Sequence, residues 1–232
     1  MHEREQPRVL KGCRPRVSFE PGTIDDYDAL AHFHYRAGYP AAVAAVYRAA
    51  MGERVVGVLV VTYPTLNGAW RRAAWRDFPG RDGSDKGASA HWLNTHVRSL
   101  SRLVIDPRVR GLGLASAMVR AYLESPRTDK TEAVSSMARA CPIFEAAGMR
   151  RVECAEQRDT ARLRRALGAM GVSLCSLARP DGTARQDAAV LRAVERWRRA
   201  SGRRKRRFAS GEPALLVAVG ALLAPPIAFV SG

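Results

Sequence analysis

The sequence predicts an α/β (α+β) fold: a mixed, mostly antiparallel sheet with a β-α-β unit at its centre, followed by a helical C-terminal extension. Three observations carry this. A β-branched run at 55–62 follows a turn-like Met51-Gly52-Glu53-Arg54. A second strand at 100–106 passes through a glycine-bearing turn into an amphipathic stretch. Beyond Glu153, apolar residues recur at helical spacing.

Taken in order, 17–20 reads as a short strand, and Thr23 as the N-cap of a helix with Asp25 and Asp26 in its first turn, ending near His34. Alanine content would make 41–49 helical, but the turn at 51–54 favours a hairpin. Residues 63–96, rich in Gly, Arg, Asp and Trp, read as a long loop, functional or partly disordered, overhanging a site. A strand at 100–106, a helix at 113–124, a strand at 132–137 and a short helix at 142–147 ending on Gly148 complete the alternation. In the extension, Ala161, Leu163, Ala166, Leu167 and Met170 form one helix face, and Val190, Leu191, Val194 and Trp197 a second. Pro180-Asp181-Gly182 turns between them. The organisation is an arm at 1–15, a domain at 16–155 and a basic, mostly helical extension at 156–232.

The apolar stretch 213–230 raises the alternative of a tail anchor. However, Pro225-Pro226 interrupts it far short of the roughly 20 residues a spanning helix needs. A buried helix and a final strand at 227–230 are the expectation.

The chain has 232 residues, a formal net charge of +16 and four cysteines. Cys13, Cys141, Cys154 and Cys175 have neither the pairing of a metal site nor the density of a disulfide framework, so reduced thiols in a cytoplasmic protein are expected, with no metal. Met1 to Arg8 is charged and leads into no apolar core of a secretory signal. The positive excess implies an anionic partner. Part of it is concentrated in Arg196, Arg198, Arg199, Arg203, Arg204, Lys205, Arg206 and Arg207, which reads either as a solvated helix end or as a nucleic-acid contact.

Between the strand at 100–106 and the helix at 113–124 lies Pro107-Arg108-Val109-Arg110-Gly111-Leu112-Gly113-Leu114-Ala115. Glycines let a backbone approach a phosphate closely, and the first turn of a helix offers free N–H donors at a positive dipole end. A pyrophosphate fits such a site; a tight strand-to-helix turn is the plainer alternative.

Arg110-x-x-Gly113-x-Ala115, after a strand ending in Asp106-Pro107, resembles the coenzyme-A signature of the GNAT superfamily of N-acetyltransferases. Ile143-Phe144-Glu145-Ala146-Ala147-Gly148-Met149 is similar to that family's next landmark. The resemblance covers about 16–153. It implies a sheet splayed beside the cofactor strand, with acyl-CoA, in the first place acetyl-CoA, in the gap and transfer of its acyl group to an amine. It further implies that Leu103, Val104 and Ile105 pair with the pantetheine arm, while Arg110, Gly111, Leu112, Gly113, Leu114 and Ala115 hold the pyrophosphate. Where the family often has a tyrosine acid, this chain has Phe144. Cys141 is a possible substitute, although a buried structural thiol is the commoner role for such a residue.

His34-Tyr35-Arg36, 56–61, Leu93-Asn94, Ser101-Arg102 and the stretch from Pro142 also look like the predicted acetyltransferase domain found fused to ABC-type ATPases. A more distant likeness is to Mom-type phage DNA-modification proteins. The catalytic candidates are His34, Tyr35, Glu132 and Ser101; Arg36, Asn94 and Arg102 are candidates for holding the acceptor, and Trp92 is read as core. Three activities compete: acyl transfer to an amine, nucleic acid included; Mom-like base modification; and cofactor or nucleic-acid binding without catalysis.

Overall fold

The computed structural model of the chain describes residues 8–10, 16–34, 39–79, 86–179, 181–200 and 212–232. Two compact units emerge, Met1–Glu153 with Ile227–Gly232, and Cys154–Pro226.

The first unit is built on an eight-stranded sheet. Its strands are β1 (Arg8–Val9), β2 (Ser18–Pro21), β3 (Val43–Met51), β4 (Arg54–Thr62), β5 (Val97–Ile105), β6 (Lys130–Ser135), β7 (Arg150–Glu153) and β8 (Ile227–Ser231). They lie in the order β1-β2-β3-β4-β5-β6-β8-β7. Only β5 and β6 are parallel, joined by α4 (Leu114–Leu123), as the expected β-α-β unit requires.

The remaining helices of this unit are α1 (Ile24–Ala31), α2 (Arg71–Ala74), α3 (Lys86–His96) and α5 (Ile143–Ala146). A capping box starts α1, with the Asp26 carboxylate accepting from the Thr23 N–H at 2.8 Å.

The hairpin prevails over alanine's helical preference because the alanines of β3 make room for α4. Ala49 pairs with Gly57, and a Cβ built on Gly57 would lie 2.8 Å from Met118 Sδ of α4. On this face Tyr47, Leu59, Val61, Leu100 and Ile105 pack with Met118 and Tyr122, and Phe144 stacks on Phe229. The opposite face buries Val46, Val58, Val60 and Val104 under Tyr27 and Leu30 of α1. Period-2 alternation in β4 thus serves two cores at once, which is why the strand reads as a continuous apolar run.

Three expectations need correction. The segment 63–96 is not one long loop: it contains α2 and α3. The strand β7 was not foreseen, because Arg150-Arg151-Val152-Glu153 buries Val152 alone. Cys141 is exposed and precedes α5 instead of being buried on it.

Among the described residues the second unit comprises α6 (Arg158–Ala169), α7 (Leu174–Ala178), α8 (Ala188–Ala200) and α9 (Glu212–Leu223). Its core is its own, drawn from Leu163, Leu167, Leu177, Val190, Val194, Trp197, Leu215, Val219 and Leu222. The apolar stretch 213–230 divides into α9 and β8, and no described helix is long and apolar enough to cross a membrane.

Candidate functional site

A gap opens in the sheet beside β5. Its parallel pairing with β6 covers only Val97 to Leu100 against Lys130 to Ala133, whereas its pairing with β4 continues to Ile105. A register shift falls between Val60 and Val61, opposite Arg102 and Leu100, so Ser101 is the extra residue at the point where β6 departs. Beyond it, Val134 and Ser135 of β6 keep β8 on their other edge and have no β5 partner. The edge of β5 from Ser101 to Ile105 facing away from β4 therefore carries backbone N–H and C=O groups with no β6 partner.

The flanks of this gap are apolar. Val134 is 41% exposed although its strand lies inside the sheet. Leu112, before α4, and Met137, after β6, are also exposed.

The loop leading out of β5 is held by a carboxylate. Asp106 accepts from the Arg108 N–H and Nε, each at 3.0 Å, from Arg108 Nη2 at 2.9 Å and from Arg54 Nη2 at 2.6 Å. The Arg108 guanidinium and N–H, together with Arg54, hold its carboxyl well below the usual carboxylate range. This ties a turn at Pro107–Val109 to the β3–β4 hairpin. Arg110 Nε then donates to the Ile105 carbonyl at 3.0 Å, and Nη2 to the Phe33 carbonyl at 3.4 Å. Arg110 thus fastens the loop through its guanidinium.

Gly111 and Gly113 follow with φ of +84° and +75°, the left-handed region that favours glycine. Gly113 is the N-cap of α4, and a Cβ at either glycine would meet no atom within 4 Å. The glycines thus leave open space where a side chain would project, just before first-turn N–H groups, those of Leu114 and Ala115 included, that have no intrahelical acceptor. The Leu114 side chain is buried beneath them, while Leu112 projects outward.

The remaining candidates separate. Glu132 is 3% exposed and fully engaged: its Oε2 accepts from Arg71 Nε at 2.8 Å, and its Oε1 from Arg71 Nη2 and Ser99 Oγ, each at 2.6 Å. Arg71 also donates to the Thr65 carbonyl at 2.6 Å. Glu132 is thus held in a buried ion pair with Arg71. Ser101 Oγ donates to the Val60 carbonyl at 3.2 Å. Arg102 pairs with Val60 on the α1 face and is buried, its Nη1 donating to the Ser101 carbonyl. Leu103 is half-buried; Val104 and Ile105 are in the two cores. Asn94 is exposed on α3, its carbonyl accepting from Arg98 Nη1 at 2.7 Å. Trp92, on α3, sits in an aromatic cluster with Trp75, Phe78 and His96. His34 follows α1, half-buried, its N–H bonded to the Ala31 carbonyl. Tyr35 and Arg36 lie outside the described residues.

Sequence reasoning missed Arg71 and Arg54, since nothing local marks an arginine whose carboxylate lies 61 or 52 residues away. Among the described residues no group of His, Cys, Asp and Glu could hold a metal ion.

No family model and no curated protein matches the chain. Solved structures to which it is similar include the GNAT domain of S. lividans PAT, at 14% identity and a TM-score of 0.40, with 66% of this chain and 92% of that chain covered. Aminoglycoside acetyltransferase AAC(6')-Ib in complex with coenzyme A and kanamycin matches at 20% identity and a TM-score of 0.39, covering 62% and 89%. An acetoin utilization protein from Exiguobacterium sibiricum matches at 12% identity and 0.39, covering 65% and 79%. Likenesses this weak carry no argument, so the architecture and the site stand on the strand pairing and loop geometry described above.

Proposed function

We propose that the first unit is an acyl-CoA-dependent N-acyltransferase of the GNAT type, using acetyl-CoA or another acyl-CoA in the cytoplasm. The observation that carries this reading is the combination of a β5 edge that has no strand beside it beyond Leu100 with a glycine loop at the start of α4. One offers a backbone ladder for an amide-bearing arm, the other a set of N–H donors for a pyrophosphate. They are consecutive in the chain, as one extended ligand would need.

A bound acyl-CoA would supply the thioester. The β5 edge near Ser101 would donate backbone N–H to the thioester carbonyl, stabilising the negative charge that develops on its oxygen as an amine attacks. The exposed Val134, Leu112 and Met137 would exclude water from the arm. With Glu132 committed to Arg71, His34 is the described candidate for taking the amine proton. Phe144 offers no proton, so the departing thiolate takes its proton from solvent.

A second reading has a specific observation behind it. Phe144 is buried and stacked on Phe229 at 5.2 Å, a packing role in place of an acid. On that reading the domain binds a CoA thioester without turning it over.

Release of free thiol from acetyl-CoA, followed against a panel of amines including nucleosides with exocyclic amino groups, separates the two. Acyl transfer predicts amine-dependent thiol release that His34→Ala slows without changing acetyl-CoA affinity. Saturable binding with no amine-dependent release favours the binding module. Failure to bind at all removes both.

A further inference from the structure

The second unit interrupts a hairpin. β7 ends and β8 begins on a directly paired couple, Glu153 and Ile227, so the whole of Cys154–Pro226 occupies the position of a turn between neighbouring antiparallel strands. The sheet needs only a short connection there. What fills it holds fifteen Arg and Lys and six Asp and Glu.

The arginines are ordered. On α6, Arg158, Arg162 and Arg165 recur at i, i+4 and i+7, and all three are exposed. On α8, Arg192, Arg196 and Arg199 repeat the same spacing and are also exposed. At about 100° per residue each trio forms one stripe, opposite the buried Leu163 and Leu167 on α6 and the buried Val190, Val194 and Trp197 on α8.

The two stripes are fixed relative to one another. Trp197 Nε1 donates to Thr160 Oγ1 at 3.2 Å inside the core that α6 and α8 share, which holds the two helices that carry the stripes together. Salt bridges within this unit engage Arg164, Arg179, Arg198 and Arg199; among the described residues Arg158, Arg162, Arg165, Arg192 and Arg196 have no carboxylate partner.

We propose that the exposed arginine stripes of α6 and α8 bind the phosphate backbone of double-stranded nucleic acid. Each row of guanidinium groups spans about 10 Å, a length over which a duplex presents successive phosphates. The residues interleaved with them favour a duplex over other polyanions. An acidic membrane surface is held by a basic helix that also inserts apolar side chains, and neither α6 nor α8 exposes a large apolar side chain. A single strand is held by exposed aromatic platforms, and Trp197, the aromatic residue among the described residues of this unit, is buried. The inference does not rest on the acyltransferase reading, because its face belongs wholly to the inserted helices.

The test uses the full chain and fluorescence anisotropy with a mixed-sequence DNA duplex over a range of salt. Five unpaired arginines predict a slope of log affinity against log salt of about −4.5. Arg162→Glu combined with Arg196→Glu should reduce its magnitude by about 2. Arg16→Glu with Arg72→Glu, both exposed on the first unit, makes the same change in net charge and should leave the slope unaltered. Should the glutamate pair lower the melting temperature, Arg162→Gln with Arg196→Gln gives the same readout without charge reversal. The proposal is overturned by a wild-type slope near zero, by equal losses in the two double variants, by single-stranded DNA outcompeting the duplex, or by retention on phosphatidylserine vesicles without duplex binding.

Discussion

Arg71 and Glu132 form a two-pronged ion pair at 2.8 and 2.6 Å, with the arginine wholly buried and the carboxylate nearly so. The pair lies one strand position below the gap, because Ser99, which donates to the same carboxylate, pairs with Glu132 just before β5 and β6 part. It therefore ties the segment containing α2 to the closed end of the gap.

Removing the arginine alone leaves a buried, uncompensated carboxylate. Arg71→Met should lower stability by about 3–5 kcal/mol, whereas Arg71→Met with Glu132→Leu should recover most of it, since two apolar side chains need no charge compensation. Urea denaturation of the three proteins measures this, and a double variant as unstable as the single one would contradict it.

The loop after β5 should lose its anchor only in strong acid. The Asp106 carboxyl is depressed by its bonds to Arg108 and Arg54, so its contribution to stability is complete above the unfolded value of about 3.9 and is lost as pH falls through the depressed folded value. Asp106→Asn should lower the melting temperature most in the neutral range and converge on the wild type in strong acid, so that the acid limb flattens. An unchanged acid limb would exclude Asp106 as its source.

The Glu153–Ile227 pairing predicts that the inserted helices can be removed. A chain with 154–226 replaced by a two-residue Asn-Gly turn should retain the sheet, because β7 and β8 then meet as an ordinary hairpin. Circular dichroism should show lost helical signal with a cooperative transition preserved. A non-cooperative melt would show that the sheet depends on the insert.

At Gly113 the backbone conformation, with open space around it, dictates the outcome of substitution. Gly113→Val should cost about 1–2 kcal/mol from the left-handed φ, and Gly113→Asn less, since a short polar side chain tolerates that region. Thermal melts of both variants check the ranking.

Much of the frame was legible because local rules and the fold agree. The turn at 51–54, the valines of β4 and the glycines before α4 each specify their own geometry. Less legible features depend on partners distant in sequence. α3 buries only Leu93, so no apolar periodicity announces it. β7 is recognised by its pairing with β8, far along the chain, and not by its own residues. The same limit explains Glu132: its strand could be read locally, but the arginine that neutralises it is supplied by a segment with no pattern of its own.

The account's central claim is a CoA-binding groove running from the β5 edge to the start of α4. Isothermal titration of acetyl-CoA into the full chain and into Gly113→Val tests it most directly. The geometry predicts saturable one-to-one binding by the wild type that the valine variant loses while remaining folded at the measuring temperature. Absence of saturation in the wild type at concentrations well above micromolar, or equal binding by both proteins, would contradict it.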